Sequence, residues 1–227
     1  MNLSTTIIYY SSNCEKSEFE ERIRNNILEV SGGLPIISVT QKPIDFGINI
    51  VVGDVGTSGF NMFRQVQIAC QEAKTRFVIS TEADCLYPPD YFTFIPEKDD
   101  LCYRNKNLYV MPQHRPYFWK KEEGASHAQV IGRDFYLSAL DKLFEGAPKW
   151  SVEEKNFPKE RTHKKQQDIF WPKDIEFYET KNPVVQIKTS QSMRNYTHSD
   201  RVVRSELPYW GKGRDFRKKY YDIGYMH

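Results

Sequence analysis

FVISTEADCLYPPDYF, residues 77–92, decides how the chain is read. Its first residues are β-branched and aromatic and predict a buried strand over 76–80. The strand runs into Glu82-Ala83-Asp84, and Pro88-Pro89 then stiffen the loop behind it, since proline fixes its own φ and restricts its neighbour. Residues i and i+2 of an extended segment point to the same side, so Glu82 and Asp84 converge just past the strand. Two carboxylates that close repel unless a proton or a cation sits between them. A hard divalent cation, Mg²⁺ or Mn²⁺, meets this demand with oxygen ligands and keeps positions open for phosphates. Two solvated loop acids are the plainer alternative.

Upstream, strand and helix alternate. Residues 5–10 predict a first strand and 11–13 a turn. Ser17 is a candidate helix cap with Glu20 as its capping-box partner, and Phe19, Ile23, Ile27 and Val30 form one helical stripe. Gly32-Gly33 end that helix. Strands follow at 34–39 and 48–52, then a helix over 59–73 with Phe63, Val66, Cys70 and Ala73 along one side. This rhythm predicts an α/β fold, a mainly parallel sheet flanked by helices, with ligands beyond the carboxyl ends of the strands. Downstream the rhythm breaks. Residues 101–103 and 108–110 read as a hairpin around Asn105-Lys106-Asn107, 134–144 as a helix and 184–188 as a strand.

Composition sets the outer bounds. With 227 residues, 39% hydrophobic and 27% charged, the chain is long enough for a full core and reads as one domain. Net charge is only +2, but residues 201–227 hold seven Lys/Arg against three acids, a basic aromatic tail of the kind that meets phosphates. The four cysteines show no zinc spacing. No leader pattern and no apolar run near the ~20 residues of a membrane span is seen, so reduced thiols and a cytoplasmic setting are expected.

These stretches resemble the GT-A class of nucleotide-sugar glycosyltransferases, in a family-2-like form. STEADCLYPPDYF looks like the D-x-D motif with its acid-hydrophobe-Pro continuation, although the first acid is Glu, whose longer reach also suits a ribose or water contact. IIYYSSNCEKSEFEERI looks like the first strand, nucleotide loop and helix; IISVTQKPIDFGINIVVGD like the strands that follow; and GTSGFNMFRQVQIACQEAKTRFVIS like the approach to D-x-D. The likeness covers roughly residues 4–145 well and the remainder loosely. It implies a Rossmann-like βαβ nucleotide-binding half over 1–100, an irregular acceptor half over 101–198, and the tail over 199–227.

The resemblance also implies roles. Tyr10, Ser11, Ser12 and Asn13 would meet uracil and ribose, with Tyr10 stacking, and Arg64 and Gln65 would reach phosphate or sugar. Glu82, Ala83 and Asp84 would hold the diphosphate and the metal. His198, in QIKTSQSMRNYTHSD, is the late histidine that would complete the shell, with Lys188 and Arg194 beside it. Asp168 would be the general base. GASHAQVIGRDFYLSAL resembles the acceptor-side segment and offers His127 and Arg133. Trp119, Trp171 and Trp210, set among polar residues, are candidate platforms for a sugar ring or base, packing being the commoner fate of indoles.

The expected function is therefore metal-dependent transfer from a UDP-sugar, with Mn²⁺ or Mg²⁺ as cofactor. The tail and small size are somewhat similar to phage enzymes that add sugars to hydroxymethylated cytosine, which implies a DNA acceptor and a host cytoplasm. A surface or capsular glycan is the rival acceptor. A non-catalytic nucleic-acid-binding module is the non-enzymatic alternative. Sugar nucleotidyltransferases are disfavoured, because residues 11–14 lack their Gly-rich loop.

Overall fold

The computed structural model describes residues 4–121, 124–153, 169–170, 172–193 and 202–222. In chain order the elements are β1 (Thr5–Ser11), α1 (Ser17–Val30), β2 (Ile36–Thr40), β3 (Ile48–Val51), α2 (Gly59–Glu72), β4 (Phe77–Glu82), β5 (Cys85–Leu86), β6 (Cys102–Asn105), β7 (Leu108–Pro112), β8 (Phe118–Lys120), β9 (Gln129–Gly132), α3 (Arg133–Phe144), β10 (Ile175–Tyr178), β11 (Val184–Lys188), β12 (Val203–Arg204), β13 (Glu206–Leu207), β14 (Gly211–Lys212) and α4 (Gly213–Tyr220). One sheet has the order β10-β6-β9-β4-β1-β2-β3, a second β12-β8-β7-β11-β5, and β13-β14 form a small hairpin.

The expected α/β class holds. In the larger sheet β1 pairs in parallel with β2 and β4, β2 with β3, and β6 with β10; β9 alone runs against its neighbours β4 and β6. Side chains of β1 alternate between two cores, as a pleated strand requires. Ile7 and Tyr9 pack with Phe19, Ile23 and Ile27 of α1, while Ile8 and Tyr10 pack with Phe60, Phe63 and Val66 of α2. Each buried Phe or Ile is worth about 1.5–3 kcal/mol, more than any helix propensity difference outside proline, so these stripes set where the helices lie.

Two sequence expectations need correction. Ser17 does not cap α1; Lys16 holds that position without a side-chain bond. Glu20 instead turns toward the loop after β1, accepting from Ser11 Oγ at 2.9 Å and Asn13 Nδ2 at 3.2 Å. Nor do 101–103 and 108–110 form a hairpin. β6 belongs to the larger sheet and β7 to the second, and the chain crosses between them at Lys106-Asn107. Asn105 and Asn107 secure this crossing: Asn105 Nδ2 donates to Thr180 Oγ1 at 2.8 Å, and Asn107 Nδ2 to Thr180 O at 2.9 Å.

The join of β9 and α3 is closely packed. A Cβ on Gly132 would lie 1.8 Å from Asp99 O, backbone that cannot swing aside. Gly132→Ala is expected to lower stability by about 1–3 kcal/mol through overpacking; urea unfolding checks this, and an unchanged midpoint would contradict the packing.

Candidate active site

The parallel register brings the ends of β1 and β4 level, pairing Tyr10 with Glu82. A cleft opens at this carboxyl edge, lined by Tyr10, Ser11, Ser12, Glu15, Glu20, Asn61, Gln65, Glu82, Ala83, Asp84 and residues 191–193. It lies where an α/β sheet of this kind holds ligands.

Asp84 is held from several sides. Its carboxylate accepts from Gln186 Nε2 at 3.0 and 3.2 Å and from Cys85 Sγ at 3.2 Å, while its carbonyl accepts the Ile187 N–H at 2.8 Å. Glu82 Oε1 accepts from Tyr10 Oη at 2.9 Å, and the Glu82 N–H donates to Tyr87 Oη at 3.0 Å. Burial, and then the charge of Asp84, push the Glu82 carboxyl up to about 7; Lys188, the Tyr10 bond and Lys121 pull the other way. Burial, reinforced by Lys188, pushes the Lys121 ammonium down to about 8. Glu15 also sits high, chiefly from burial; Thr189 Oγ1 bonds its carboxylate.

The other sequence candidates are distributed as follows. Tyr10 is only 4% exposed, so it orients Glu82 and has little ring face left for a base. Ser11 is buried and bonds Glu20, whereas Ser12 is half-buried on the cleft wall. Asn13 has φ 52° and shapes the loop, accepting the Lys42 N–H at 2.9 Å. Gln65 lies at the cleft base, its Nε2 donating to Ser11 O at 2.8 Å and Val39 O at 2.9 Å. Lys188 ends β11 and acts electrostatically on both Glu82 and Glu15.

Four candidates do not reach the cleft. Arg64 packs over the Phe144 ring, 3.7 Å from its centre, and donates to Lys149 O and Pro148 O, anchoring the segment after α3. Arg133 donates to Ala73 O, and the pairing of Gly132 with Phe77 puts it at the opposite end of β4 from Glu82, roughly 17 Å away along the strand. Trp210 is 9% exposed, with its Nε1–H on Pro183 O at 2.6 Å, so it serves the core. His127 is buried behind Glu82. Its imidazole and the Cys85 thiol place ligand-type atoms within 4.8 Å of the Glu82 carboxylate, and burial plus the Lys121 charge hold the ring neutral.

Trp119 shares a face of the second sheet with Gln186, because Gln186 pairs with Val110 and Val110 with Trp119; its Nε1 is buried without a partner. Asp168, Trp171, Arg194 and His198 lie outside the described residues. Sequence reasoning missed Glu15, Lys121 and Gln186. The i, i+2 relation of Gln186 to Lys188 was the available signal for the last.

No family model matches the chain, and no curated protein matches its sequence. Among solved structures it is similar to a glycosyltransferase involved in glycosylation of the major capsid of PBCV-1, with 12% identity over 80% of this chain and 92% of that one, TM-score 0.46. It is also similar to the glycosyltransferase GlyE of Streptococcus pneumoniae TIGR4 (11% identity, 78% and 46% covered, TM-score 0.48). A third is TarS 1-349 of S. aureus in complex with UDP-GlcNAc (11% identity, 83% and 59% covered, TM-score 0.48). The chain thus spans less than two thirds of either bacterial protein. Likenesses of this degree assign no chemistry to the cleft.

The Glu82 environment has a measurable consequence. A carboxyl whose proton affinity rises on folding, from 4.5 to about 7, binds more protons in the native chain across that window. Stability therefore falls as pH rises through it, by at most about 3 kcal/mol. In EDTA-treated protein, Glu82→Gln is expected to match wild type near the low end of the window and to exceed it above the high end. Urea unfolding across pH checks this; a difference that does not change with pH would refute the assignment.

Proposed function

We propose that the chain is a glycosyltransferase that moves a sugar from a UDP-sugar to an acceptor hydroxyl. The observation that carries this reading is the meeting of Glu82 and Asp84 with the Ser11-Ser12 end of β1 in one cleft at the carboxyl edge of the sheet. Glu82 and Asp84 bring to the cleft carboxylate oxygens of the kind a hard cation takes. Burial first, and then the charge of Asp84, raise the proton affinity of Glu82 even with two lysines near, and Mn²⁺ or Mg²⁺ would relieve the repulsion between the two carboxylates. Asp84 and Glu82 would hold the ion, which when bound supplies Lewis acidity toward the diphosphate.

The chain's own residues divide the remaining work. In the reaction the bond between the anomeric carbon and the diphosphate oxygen breaks and its electron pair stays with the diphosphate. Lys188 and Lys121 oppose that growing negative charge. The acceptor oxygen bonds to the anomeric carbon and gives its proton to a carboxylate base, for which Asp168 remains the proposal. Gln186 is a positioning residue: its amide fixes the direction of the Asp84 carboxylate. Ser12, on the cleft wall, and the backbone of the β1 loop would receive the nucleoside.

A DNA acceptor has less to hold it than the sequence suggested. Trp210 and Phe216 of the aromatic tail are buried, and Arg217 pairs with Asp222 at 3.0 Å. No helix among the described residues is long and apolar enough to cross a membrane.

Incubation with Mn²⁺ and a panel of UDP-sugars, following UDP release, tests the proposal. Turnover with one donor is expected, lost in EDTA and restored by Mn²⁺. Asp84→Asn is expected to lower it at least about 100-fold. Silence with every donor, or full activity in the variant, would overturn the reading.

A further inference from the structure

A second cavity, about 310 Å³, lies between α1 and the C-terminal hairpin, away from the cleft. Its size falls in the range of small-ligand sites. Trp210 forms part of its wall, fixed by its bond to Pro183 O and packed edge-on against Phe216, with ring centres 5.4 Å apart.

The rim is built at a conformational cost. Residues 208–210 connect β13 to β14, and the Trp210 N–H closes back on Pro208 O at 2.8 Å. Tyr209 between them has φ +67°, a region that a bulky side chain rarely enters. Strain of this kind persists where surrounding structure enforces it, and it gathers at functional sites. The strain does not serve the core, because Tyr209 is 52% exposed. It turns an aromatic ring outward, edge-on to Trp210 with centres 4.7 Å apart.

Asn26 and Glu29 of α1 face this aromatic wall, and Asp215 and Lys219 of α4 complete the lining. Asn26 Oδ1 already accepts the Tyr87 N–H, so the exposed Tyr209 ring and the Glu29 and Asp215 carboxylates are what suit the face and the hydroxyls of a sugar ring. Two carboxylates against one ammonium disfavour a phosphodiester.

We propose that this groove is a saccharide subsite, holding a neutral sugar of a glycan acceptor at a distance from the sugar that reacts. The placement fits. Trp210 bonds Pro183 O, next to the start of β11, and Lys188, which acts on Glu82 and Glu15, ends that strand roughly 17 Å further along, a span that an oligosaccharide can cover. The reacting end of an oligosaccharide can occupy the cleft while a trailing sugar lies against Tyr209. This deepens the proposed function by making the acceptor a glycan, and it rests on that reading; saccharide binding itself needs neither donor nor metal.

Tryptophan fluorescence and calorimetric titrations of the full chain with chitohexaose and maltohexaose test it, with a short DNA duplex as the competing macromolecule. At least one hexasaccharide is expected to bind at or below about 10 mM. Tyr209→Ala should weaken it roughly tenfold, while EDTA leaves it unchanged. Tyr209→Gly separates site from fold: it relieves the strain, so it should unfold at equal or higher urea and still lose binding. No saccharide binding, binding indifferent to Tyr209, or DNA binding that depends on Tyr209 would overturn the proposal. Saccharide binding without transfer from any donor would leave the groove standing and sink the transferase reading.

Discussion

Two residues, Ala83 and Asp84, carry the chain from the larger sheet into the second one. So short a crossing leaves little choice of path, and Asp84 is tied to β11 through both its carbonyl and its carboxylate. Charge-assisted bonds of that kind are stronger than neutral ones and fix direction as well as distance. Glu82, the last β4 residue paired with β1, must then stand beside Asp84. The charge that Asp84 exerts on Glu82 thus follows from the path of the chain, and Gln186 holds the carboxylate that carries it.

The same device recurs. The chain also passes between the sheets at 106–107, and again between β10 and β11. A shared polar network ties these passages together. Asn105 and Asn107 bond Thr180, the Thr180 hydroxyl donates to Asn182 O, and Asn182 donates to both carboxylate oxygens of Asp90. Buried polar groups satisfied in this way rigidify their surroundings. The second sheet can therefore present Gln186 and Lys188 toward the cleft from a fixed position.

Local patterns in the sequence carried the α/β half well, because they are caused locally. The stripe Phe19, Ile23, Ile27 predicts a helix and its buried face together, and the E-x-D pair marks the strand end where the cleft opens. The second half resisted for a physical reason. Two short apolar runs around Asn-Lys-Asn look the same whether they pair with each other or enter different sheets, since the choice is made by partners far away in sequence. Glu20 failed as a capping residue because Ser11 and Asn13, brought close by the β1 turn, offered better bonds than the helix end. Arg64 and Trp210 were chemically apt for a ligand. Burial against Phe144 and a bond to Pro183 O are decided by tertiary packing, which no spacing rule encodes.

The charged groups about this cleft combine burial with both like and opposite neighbours. Glu82 is crowded by Asp84, and Lys121 by Lys188, each at a cost to its charged form. Opposite charges interleave as well, Lys188 and Lys121 lowering the proton affinity of Glu82 and Glu82 raising that of Lys121, and alone they would move the two apart. Here they approach: Glu82 rises to about 7 and Lys121 falls to about 8. Burial drives both shifts first, and the two lysines relieve Glu82 only in part. A ligand carrying both signs, a divalent cation on one side and a diphosphate on the other, would relieve both pairs together. The proposed donor together with its metal would be a ligand of that kind.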